Sequence, residues 1–95
     1  MRLRYTRRAA KELDQLLSYI DDRSPRGAAE VKARIRAIID LIALHRMAGR
    51  PMPRRSLRRV VVHPFPYLVF YAVSEDEIVI HGVRHAARRP LSTSR

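Results

Sequence analysis

Leu3 and Tyr5 alternate with Arg2 and Arg4, the two-residue period of a short strand buried on one face. Thr6 follows as a helix cap, and Leu13, Leu16, Leu17 and Ile20 then recur at helical spacing. Asp21-Asp22-Arg23 closes that run. Ser24-Pro25 restarts the chain as N-cap and first helical residue, where the missing proline N–H does no harm. A second helix places Ala28, Val31, Ile35, Ile38, Ile39 and Ile42 on one stripe, with Lys32, Arg34, Arg36 and Asp40 mostly off it. Gly49-Arg50-Pro51 lies beyond its end and stops any continuation. Two helices joined by so short a turn predict an antiparallel hairpin.

Residues 46–59 read as a loop with six arginines and no acid. Strand patterns follow. Leu57 to Val62 ends in β-branched residues, and His63-Pro64-Phe65-Pro66 is a turn. Residues 67–73, YLVFYAV, form a strong strand, Ser74 to Glu77 a polar hairpin loop, and Ile78 to Val83 or Arg84 the returning partner. The predicted order is β-α-α-β-β-β in one α+β domain over 1–95: a helix hairpin packed on one face of a small antiparallel-rich sheet. A basic tail, 85–95, follows it.

Alternation along these strands sets Tyr67, Val69, Tyr71 and Val73 on one face and Leu68, Phe70 and Ala72 on the other. In the last strand Ile78 and Ile80 share a face, and Val79 and Val83 take the opposite one. Both faces are apolar, yet a two-helix hairpin covers only one. Burying each such side chain stabilises by roughly 1.5–3 kcal/mol, so the bare face is expected to seek a second protein.

Charge changes the picture next. The chain carries a net +11, and the excess lies almost wholly beyond residue 22, where fifteen basic side chains face five acidic ones. Such density attracts nucleic acid, an RNA-rich assembly or an acidic protein. Eighteen arginines against two lysines also fit a GC-rich genome. With no cysteine there is no disulfide framework, zinc knuckle or thiolate nucleophile, in keeping with a cytoplasmic location. No apolar run approaches a membrane span, and no signal peptide is expected. Nothing calls for a metal or a cofactor.

The segments GRP at 49–51, LRR at 57–59, PYLVFYAV at 66–73 and IVIHGVRHAAR at 78–88 resemble the ParE-like branch of the RelE/ParE superfamily of type II toxins. The element order fits along nearly the whole chain. The resemblance implies a toxin neutralised by a cognate antitoxin whose C-terminal segment covers apolar toxin surface, in a hetero-oligomer that reaches its promoter DNA through the antitoxin. Two positions depart from the pattern: Arg89 stands where many relatives carry Asp, and Ala72 where many carry Arg.

Within that superfamily the RelE-like branch cleaves messenger RNA in the ribosome, and the ParE-like branch is associated with inhibition of DNA gyrase and growth arrest, without itself being an enzyme. Cleavage through a 2′-hydroxyl needs proton carriers and phosphate-binding cations. Cations abound here, and His63 and His85 flank the sheet. The RelE-like pattern, however, carries a basic residue where this chain has Leu68, and a C-terminal tyrosine where none follows Tyr71. Gyrase inhibition is therefore the leading expectation. A ribosome-dependent mRNA endonuclease, and a degenerate toxin acting only as an interaction or co-repressor module, are the alternatives. Arg58, Arg59, Arg84, His85, Arg88 and Arg89 are the candidates for target binding. Tyr67, Leu68, Val69, Phe70 and Tyr71 are those for antitoxin binding.

Overall fold

The computed structural model describes residues 2–53 and 56–87. Strand β1 (Arg2–Tyr5) leads into helix α1 (Arg7–Arg23) and helix α2 (Pro25–Leu44). The caps are where the sequence predicts them. Thr6 Oγ1 accepts the Ala9 N–H at 3.0 Å, and Ser24 Oγ accepts the Gly27 N–H at 2.9 Å. The stripe Ala28, Val31, Ile35, Ile38, Ile39 and Ile42 is the buried face of α2. Along α1 only Ala9 is fully enclosed, while Leu13, Leu16, Leu17 and Ile20 pack against the core from its margin.

Four more strands follow: β2 (Arg50–Pro51), β3 (Leu57–Val61), β4 (Tyr67–Val73) and β5 (Glu77–His85). They form one mixed sheet in the order β1-β5-β4-β3-β2. β1 runs parallel to β5, with Leu3 opposite Ile78 and Tyr5 opposite Ile80, and every other pairing is antiparallel. β2 lies inside the segment expected to be loop. Arg50 and Pro51 pair with Arg59 and Arg58 along the free edge of β3, and an edge is the one place in a sheet where a proline costs no ladder bond.

One face expectation is corrected. Val83 does not oppose Ile78 and Ile80 but joins them in the cluster under the helices. The register of β4 and β5 shifts between Phe70 and Tyr71: Tyr71 pairs with Ile80, whereas Phe70 pairs with Gly82. His81 is the extra residue of a bulge, and one inserted residue reverses the alternation beyond it.

The bare sheet face is corrected as well. Leu57, Leu68, Phe70 and Val79, on the side away from the helices, are buried within this chain. Register sets Arg59 beside Phe70 and Val61 beside Leu68, and the aliphatic stem of an arginine covers apolar surface while its head stays wet. That face needs no second protein to hide its centre. Among the described residues, the large apolar side chains left exposed are on the helices and just beyond them: Tyr19, Leu41, Leu44 and Met47.

Candidate functional site

Two places bring functional side chains together. The first is the segment leaving α2. His45 closes the helix by donating its N–H to the Leu41 carbonyl at 2.8 Å, and the Ala48 N–H returns to the His45 carbonyl at 2.9 Å. From the middle of β4, the Tyr71 hydroxyl donates to the Arg46 carbonyl at 2.9 Å and accepts the Gly49 N–H at 2.7 Å. A Cβ on Gly49 would stand 2.7 Å from both Cε1 and the hydroxyl oxygen of Tyr71, so only glycine fits against that ring. From β3, the Arg58 guanidinium donates to the Gly49 carbonyl at 2.6 Å and to the Met47 carbonyl at 3.3 Å. A loop rich in arginine is thus fixed to the sheet by one tyrosine and one arginine.

The second place is the outer edge of β5. β1 accompanies β5 only as far as Ile80. Beyond it the carboxylate of Glu12, from α1, takes the part of a neighbouring strand. Its Oε1 accepts the Val83 N–H at 3.1 Å, while Oε2 meets the Arg84 guanidinium at 3.2 Å and Arg8 Nε at 3.4 Å. A groove of about 540 Å³ opens here, lined by Glu12, Gln15, Tyr19, Tyr67, Arg84 and His85 among others. Tyr67 and His85 meet edge to face, their centroids 5.6 Å apart, and His85 Nδ1 accepts the Ala87 N–H at 3.0 Å.

Electrostatics elsewhere is local. Burial pushes the Tyr5 phenol above its usual range, with Arg36 opposing the shift. A hydrogen bond from Arg4 holds Glu77 below the usual carboxylate range; its two contacts with that guanidinium measure 3.1 and 3.2 Å.

The residues singled out from the sequence fall into different environments. Arg58 holds the loop after α2, and Arg84 is held by Glu12. Arg59 is half-buried on the face of Phe70, and His85 is exposed at the end of β5. Arg88 and Arg89 lie outside the described residues. Val69, Phe70 and Tyr71 are wholly enclosed and Leu68 nearly so, which keeps their side chains from any docking chain in this conformation. Tyr67 alone of that group reaches the groove. Glu12 and Gly49 were not foreseen as site residues. Glu12 meets partners 71 and 72 residues away, and its sequence surroundings carry no trace of them. Gly49 stands in the GRP motif, but its role depends on a tyrosine in another element.

Residues 3–90 match the family described as ParE toxin of type II toxin-antitoxin system, parDE. The Y4kP protein of Sinorhizobium fredii is 39% identical over 85 residues, covering 90% of this chain and 88% of that protein. Toxin RelE2 of Caulobacter vibrioides is 34% identical over 84 residues, covering 88% and 93%. The solved chromosomal ParDE TA system from P. aeruginosa holds a chain of the same fold, with a TM-score of 0.77 at 24% identity over 90% of this chain and 95% of that one. The protein belongs to the ParE toxin family and is a toxin of a type II toxin–antitoxin system.

Proposed function

We propose that this toxin arrests growth by binding and inhibiting DNA gyrase, and that a cognate antitoxin neutralises it by direct binding. The observation that carries the reading is the family match over residues 3–90. The antitoxin rests on that match too, since the sheet face once expected to demand a partner is closed by the chain itself. The environments of Leu68, Arg58, Arg84 and His85 favour inhibition over cleavage. Leu68 occupies the position of a basic residue in the nuclease pattern and is buried. Arg58 and Arg84 each donate to acceptors inside the fold, and His85 directs one ring nitrogen at backbone. A scissile phosphate needs groups turned outward toward it.

The likeness to toxin RelE2 of Caulobacter vibrioides supports a second reading, ribosome-dependent cleavage of messenger RNA. Supercoiling by purified gyrase separates the two. The purified toxin should block it, and added antitoxin should restore it. Intact supercoiling, together with new messenger RNA ends mapped by primer extension in arrested cells, would select the nuclease. A chain that leaves growth, supercoiling and transcripts untouched would be an interaction module only.

A further inference from the structure

We draw no further inference here: the strongest candidate, the groove of Glu12, Tyr67, Arg84 and His85 along the outer edge of β5, carries none, because nothing in the structure shows what covers it.

Discussion

Glu12 on α1 and Val83 on β5 are 71 residues apart, yet the carboxylate of one accepts the backbone N–H of the other at 3.1 Å. A side chain thereby completes a sheet edge that β1 is too short to cover. Glu12→Ala would leave that N–H without its acceptor and Arg84 without its carboxylate, at a cost of about 1–3 kcal/mol. Glu12→Gln keeps an oxygen for the Val83 N–H and should cost less. Urea unfolding midpoints measure both. An uncovered edge also invites strand pairing between molecules, so the alanine variant should elute earlier with rising concentration. A midpoint for Glu12→Ala equal to that of the unaltered chain would show that the carboxylate holds nothing.

Tyr71 joins the core to the loop it supports. Tyr71→Phe keeps the ring and removes the hydroxyl that serves Gly49 and Arg46. Its expected cost is about 1–2 kcal/mol, and hydrogen exchange at the Gly49 amide should quicken even where the rest of the sheet is unchanged. Gly49→Ala places a methyl 2.7 Å from the Tyr71 ring and hydroxyl. Overpacking of that kind costs about 1–3 kcal/mol, seen as a lower melting temperature.

These contacts mark the boundary of what the sequence discloses. Both helices, both caps and the six buried positions of α2 follow from spacing and cap chemistry, because a helix is specified within a few residues. The faces of β4 follow from alternation. The placement of Val83 does not, because the bulge at His81 depends on pairing between two strands and leaves no local pattern. β2 escapes notice because two residues are too few for a period. The candidate arginines are visible as charges, but which of them serve the fold is decided by acceptors far along the chain, the loop carbonyls for Arg58 and Glu12 for Arg84.

Ser24 gives a local test of the hairpin. Its hydroxyl caps α2 through the Gly27 N–H, and its own N–H closes α1 on the Ile20 carbonyl at 2.7 Å. Only the first contact involves the side chain. Ser24→Ala should therefore destabilise by about 1 kcal/mol, and Ser24→Asp should retain the cap and add a favourable charge at the helix N-terminus. Thermal unfolding that ranks aspartate no better than alanine would contradict the capping role.

Glu77 ties β5 to β1 from outside the core and should be read through pH. Its folded pKa is lowered, chiefly by the hydrogen bond from Arg4. A depressed carboxylate pKa means that the unfolded chain takes up the proton first as acid is added. The contribution is therefore present above the ordinary carboxylate value of 4.5 and is lost as pH falls through the lower folded value. Because this ion pair lies at the protein surface, the effect should be small and screened by salt. Glu77→Gln should lie slightly below the unaltered chain in stability near neutrality and converge with it in acid, with the gap narrowing at high ionic strength. A gap that persists unchanged below the folded pKa would place the effect of Glu77 in packing and not in its ion pair with Arg4.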